Sequence, residues 1–82
     1  MKKNNEEKTR LDEIIDIIVE TLEVDRNLLN ENTKFADLDV DSLDLVNLVV
    51  AFEKEYNLEI PDNEIKNLQT IKDIVDYVES HV

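Results

Sequence analysis

The chain has no cysteine, no glycine and no tryptophan, one proline, and only two phenylalanines and two tyrosines. Without cysteine there is no disulfide and no cysteine-ligated zinc site, and the chain has no thiol of its own. Without glycine there is no glycine-rich turn to present backbone donors. Left-handed backbone positions are then expected to fall to Asn or Asp, which tolerate them best. Basic residues are scarce too, 9 against 21 acidic ones, for a formal charge of -12. Such a surface is a poor partner for nucleic acid, whereas its field steers basic proteins in. Plain solubility accounts for the same charge.

Long apolar runs are also missing. None approaches the ~20 residues of a membrane span. The opening MKKNNEEKTR follows its lysines with Asn-Asn-Glu-Glu, where a secretion signal needs an apolar segment. The expectation is a soluble, cytoplasmic protein that does not insert into membranes. Its 82 residues make one domain over 1–82, with residues 1–5 expected to fray. A chain this short buries a modest core and has a small stability margin. A hydrophobic fraction of 41% is nonetheless too high for a disordered acidic chain.

What is present is helical periodicity. Leu11, Ile14, Ile15, Ile18 and Leu22 form one stripe, Leu45, Leu48, Val49, Phe52 and Tyr56 a second, and Ile71, Ile74, Val75, Val78 and Val82 a third. Each set reads i, i+3, i+4, i+7, i+11, which is one face of an α-helix. Asn4 or Asn5 is expected to cap the first helix, with Glu6 and Glu7 in its first turn; Asp41 the second; and Thr70 the third, with Asp73 at the capping-box offset. A short helix is expected over Asp62–Leu68, capped by Asp62, with Pro61 holding Ile60 extended. The connection from Glu23 to Asp41 is long, and Leu28, Leu29, Phe35 and Leu38 are expected to pin it to the bundle. Asp25–Leu29 is expected to form one helical turn. The fold class is therefore all-α, with three main helices, one short helix and a long first loop.

The middle helix carries a second apolar row, Leu43, Val46 and Val50. A helix apolar on most of its circumference is either central in a bundle or carries a contact surface. Just before it stands DLDVDSLD, residues 37–44. As a calcium loop counted from Asp39, it places Leu43 at the fifth position, Asp44 at the sixth and Val50 at the twelfth, where a ligand, Gly and Glu are required. No tight metal site is expected. Asp41 reads as a helix cap. Ser42, in an uncovered first turn at the positive end of a helix, also reads as a handle for a phosphodiester. Spacing leaves both readings of the stretch standing. A catalytic serine needs a base and an oxyanion hole, but the only histidine is His81, so no catalytic residue and no enzyme is expected.

Asp41-Ser42-Leu43-Asp44, followed by the Glu53–Asp62 stretch EKEYNLEIPD and the Thr-led TIKDIVDYVESHV, resembles the bacterial acyl carrier proteins of fatty-acid synthesis. The likeness runs from about Leu11 to Val82. It implies that Ser42 receives phosphopantetheine covalently from coenzyme A, through a separate Mg²⁺-dependent phosphopantetheinyl transferase. The arm's thiol would then hold acyl intermediates as thioesters, a role that a chain without cysteine cannot fill unmodified. It further implies that Asp41, Leu43, Asp44, Val46, Val50 and Glu53 dock partners: the transferase, fatty-acid-synthesis enzymes and acyltransferases with basic patches. Phe35, Leu48, Val49, Phe52, Ile65, Leu68 and Ile74 would line an acyl pocket, although ordinary core is the other reading of each. A monomer is implied.

Several residues depart from the family pattern. Asp39 stands where Gly is usual, Asn47 where Glu is usual, and Lys54 and Lys66 where acids are common. Ile65 is bulkier than the usual residue and is expected to shorten the pocket. Peptide-synthesis carriers usually show Gly-Gly in this region, whereas Asp39-Val40-Asp41 favours acyl cargo. A second reading of the chain is an acidic helical module that binds basic partners without modification. Modification at Ser42 separates the two.

Overall fold

In the computed structural model, which describes residues 9–82, four helices follow one another. They are α1 (Arg10–Leu22), α2 (Ser42–Tyr56), the short α3 (Asp62–Ile65) and α4 (Ile71–His81). Helix α1 packs on both α2 and α4. The three predicted stripes meet in one core, with Ile14, Ile18, Leu48, Phe52, Ile71 and Val78 at its centre. Each such side chain contributes about 1.5–3 kcal/mol by leaving water.

The caps show why the helices start where they do. Thr9 accepts from the Asp12 N–H at 3.1 Å, and Asp12 returns a bond to the Thr9 N–H at 3.4 Å. Thr9 is therefore the cap of α1. Asn4 and Asn5, expected in that role, lie outside the described residues, as do Glu6, Glu7 and the segment expected to fray. Thr70 and Asp73 cap α4 reciprocally, as expected. The Asp73 carboxylate accepts the N–H groups of Thr70 at 3.0 Å and Gln69 at 2.9 Å. These bonds, that from Thr70 first, hold its pKa below the usual carboxylate range. Helix α3 departs from expectation: Pro61 is its cap and Asp62 its first residue, and it ends at Ile65, well short of Leu68. Proline fixes the extended entry without donating an N–H that the helix would have to satisfy.

The first connection is ordered by long-range backbone bonds that the sequence does not announce. Arg26–Leu28 forms the expected turn, a 3-10 helix capped by Asp25. A second 3-10 helix, Phe35–Leu38, was not expected. Before it, residues 31–35 run alongside the start of α4. Phe35 donates to Gln69, Ile71 to Thr33 and Lys72 to Glu31, at 2.9 to 3.1 Å, and Lys34 bridges antiparallel to Thr70. Leu29 and Phe35 are buried and Leu38 is half-buried. Leu28, expected to pin the loop, is instead exposed on its 3-10 turn, and Val82 is exposed because it caps α4 from beyond its last turn.

Among the described residues, three take left-handed backbone: Asp39, Asn57 and, against expectation, Glu23. Glu23 closes α1 by donating its N–H to Val19 at 2.9 Å, and that hydrogen bond offsets part of its steric cost. One polar cluster joins the three long helices. Arg10 pairs with Glu13 at 3.1 Å and Glu79 at 3.0 Å, lies 5.0 Å from the centre of the Tyr56 ring, and Tyr56 donates to Glu13 at 3.0 Å. Partial burial, and then the bond to Glu13, push the Tyr56 phenol up to about 12. Among the described residues, no helix is long and apolar enough to cross a membrane.

Candidate functional site

The N-terminus of α2 is built by the residues before it. Asp39, with φ 57°, turns the chain out of the 3-10 helix. Asp thus occupies the left-handed position where the resemblance led one to expect Gly, and it does so without breaking the turn. Asp41 is extended and caps the helix. Its Oδ1 accepts from the Asp44 N–H at 2.9 Å, and Asp44 Oδ2 accepts from the Asp41 N–H at 3.4 Å. The Asp41 carbonyl takes the Leu45 N–H at 3.1 Å. The N–H groups of Ser42 and Leu43, two of the four that every helix start leaves orphaned, stay open to an incoming acceptor.

Ser42 is the first residue of α2 and is exposed. Its hydroxyl makes no hydrogen bond to any described residue. The only other serine, Ser80, differs in this respect, because its Oγ donates to the Asp76 carbonyl at 2.9 Å within α4. Of the two hydroxyls, the one on Ser42 is therefore free to be modified.

Beyond Ser42, Leu43, Val46 and Val50 are 66%, 54% and 39% exposed. Their spacing puts them in one row along α2, so the second apolar row is surface and not core. Asp41 is exposed beside the start of this row. The acids expected to dock partners with it are more constrained. Asp44 is half-buried and engaged in the capping box, and Glu53 is half-buried with its Oε2 accepting the Ile60 N–H at 2.8 Å. In each carboxylate one oxygen supports the backbone, and the other accepts no bond from a described residue.

A pocket of about 440 Å³ lies between α2, the second 3-10 helix, α3 and the start of α4. Phe35, Leu48, Val49, Phe52, Ile65, Leu68 and Ile74 all line it. Four of them, Phe35, Leu48, Phe52 and Ile74, also belong to the buried core. That sharing of walls is why sequence alone leaves core and pocket undivided. Val40 and Leu45, which flank Ser42 along the chain, complete the apolar lining with Ala36. Leu45 was legible from its place in the α2 stripe. Lys34, Lys66 and Gln69 also line the pocket, and nothing in their local sequence brings them together. Among the described residues, no group of three or more His, Cys, Asp or Glu side chains is arranged to hold a metal ion.

Comparison with known proteins bears on this geometry. The family described as "Phosphopantetheine attachment site" matches residues 12–78. The acyl carrier protein of Lactobacillus acidophilus is 42% identical over 76 residues, 92% of this chain and 95% of that protein. That of Zymomonas mobilis is 46% identical over 66 residues, 79% of this chain and 85% of its own. That of Cyanidioschyzon merolae is 43% identical over 76 residues, 92% of this chain and 84% of its own. Matches of this extent leave no large part of the bundle unaccounted for, and the chain belongs to the acyl carrier protein family, non-catalytic carriers of acyl groups on a phosphopantetheine arm.

Proposed function

We propose that Ser42 is the residue that takes the arm, and that the pocket beside it shelters the acyl cargo. The observation that carries this reading is the unengaged, exposed Ser42 hydroxyl at the start of α2, with two pocket-lining residues, Val40 and Leu45, on either side of it in the chain. The residues suit the group. The open N–H groups of the first turn and the positive end of the helix favour a phosphodiester, and the apolar lining favours an alkyl chain. When bound, phosphopantetheine supplies the thiol that the chain lacks, and the acyl group is esterified there.

In the attachment step, Ser42 Oγ bonds to the pantetheine-side phosphorus of coenzyme A. The bond to adenosine bisphosphate breaks, and the serine proton leaves to a base on the transferase. Mg²⁺ enters with that enzyme. Asp41, Asp44 and Glu53 supply negative charge for basic patches on the transferase and on fatty-acid-synthesis and acyltransferase enzymes, steering their approach. Leu43, Val46 and Val50 supply the apolar centre of the contact. The setting is the cytoplasm, and the carrier works as a monomer.

The absence of cysteine makes the test simple. Thiol titration of the chain incubated with coenzyme A, Mg²⁺ and a phosphopantetheinyl transferase, after removal of free coenzyme and of the transferase, reads only the arm. One thiol per chain in the parent and none in Ser42→Ala supports the reading. A thiol retained by Ser42→Ala contradicts it, and none in either leaves an unmodified acidic module.

A further inference from the structure

We propose that the Lys34–Lys66 side of the pocket adapts this carrier to acyl chains that bear a carboxylate away from the thioester. This deepens the proposed function and rests on Ser42 carrying the arm. The chain's formal charge is -12, so any pocket on it is expected to repel an anionic cargo. The described cations are not spread evenly against that field. Arg10, Arg26 and Lys72 are all held in ion pairs with carboxylates. Lys34, Lys54 and Lys66 are in none; Lys54 lies on α2 away from the pocket, whereas Lys34 and Lys66 both line it, together with Gln69.

Their positions are fixed by the fold. Lys34 is tied to the start of α4 by its bridge to Thr70, and Lys66 closes α3. Both stand on walls other than α2, across from the helix that begins with Ser42. An unsubstituted alkyl chain is satisfied by the apolar lining and gains nothing from an ammonium group. A carboxylate drawn toward that lining loses hydration and needs a countercharge, which two unpaired lysines provide. Both residues are exposed while lining the pocket, a setting in which lysine can lay its stem on apolar surface and keep its head in water. If the stems merely pack, replacing them with an apolar side chain of similar length leaves every cargo unaffected, and this separates the two explanations.

The test loads the parent and the K34M/K66M double variant with octanoyl and with octanedioyl arms, transferred from the corresponding coenzyme A thioesters. Intact mass establishes loading, and Tm is compared with that of the same chain bearing the bare arm at low salt. In the parent, the octanedioyl chain is expected to raise Tm by about 2–4 °C over the bare arm. The double variant is expected to lose this rise while keeping the rise given by octanoyl. Because both lysines are exposed, Lys66→Glu serves as a second variant, and octanedioyl loading should lower its Tm below that of the bare-arm form. The proposal is overturned if octanedioyl fails to raise Tm in the parent, or if the variants respond to the two chains as the parent does. Failure to attach even the bare arm is a different result, visible in the mass alone, and it removes the Ser42 reading on which this proposal rests.

Discussion

Glu53 on α2 accepts the backbone N–H of Ile60 at 2.8 Å, so a residue that sequence points to as a docking acid also holds the chain leading into α3. Ile60 is buried, and an N–H there without an acceptor costs about 1–3 kcal/mol. Glu53→Ala should lower Tm by about 4–8 °C for each kcal/mol lost. Glu53→Gln keeps an acceptor and should melt near the parent while binding basic partners more weakly. Thermal melts of both variants beside partner titrations check this. Equal melting of the two variants would remove the structural role of Glu53.

The apolar rows of α2 should respond oppositely to truncation. Leu43 and Val46 are exposed, so Leu43→Ala or Val46→Ala should change stability by about 0.5 kcal/mol or less while weakening partner affinity. Phe52 is fully buried, and Phe52→Ala should cost about 3–5 kcal/mol, a large part of the stability of so small a bundle. Urea melts read the first quantity and partner titrations the second.

Asp73 gives the start of α4 a defined pH dependence. Its folded pKa is lowered from 3.8 by accepting backbone N–H groups, that of Thr70 above all. A lowered value means that the ionised form favours the fold. This stability is complete above the unfolded value and disappears as pH falls through the lower folded one. Asp73→Asn should therefore be less stable than the parent at neutral pH, and the gap should narrow as pH falls below about 4. Melts of the pair across that range check it, and a constant gap would contradict it.

Tyr56 gives the opposite dependence at the alkaline end. Its phenol is raised to about 12, so the protonated form favours the fold. The stability it contributes is full below about 10 and is lost as pH rises toward the folded value. Of the two tyrosines, Tyr77 is also raised, by its own partial burial first. Absorbance titration of phenolate in the parent and in Tyr56→Phe should assign the step near 12 to Tyr56. A Tyr56 step near 10 would mean that neither the partial burial of the ring nor its contact with Glu13 is maintained in solution.

The legible parts of this molecule are those set by local pattern. The α1, α2 and α4 stripes, the Asp41 and Thr70 caps and the left-handed tolerance of Asp39 follow from spacing and side-chain chemistry within a few residues. What was missed depends on contacts far apart in the chain. The pairing of Lys34 with Thr70 and of Thr33 with Ile71 orders the first connection, and no pattern in residues 30–35 announces it. Leu28 resembles Leu29 in sequence and differs only in which side of a 3-10 turn it occupies. The site divides the same way. Ser42 and the row of Leu43, Val46 and Val50 are visible as local spacing, whereas the convergence of Lys34, Lys66 and Gln69 on one pocket requires the folded loop. Glu23 shows the limit of propensity, since its place at the end of α1 outweighs the cost of a left-handed backbone.

The most direct test of the central claim uses the fact that the chain has only two serines. Intact mass is measured after incubation with coenzyme A, Mg²⁺ and a phosphopantetheinyl transferase, for the parent, Ser42→Ala and Ser80→Ala. The parent and Ser80→Ala should each gain the mass of one arm, and Ser42→Ala none. A gain by Ser42→Ala, or its loss in Ser80→Ala, would place the attachment elsewhere and contradict the site described at the start of α2.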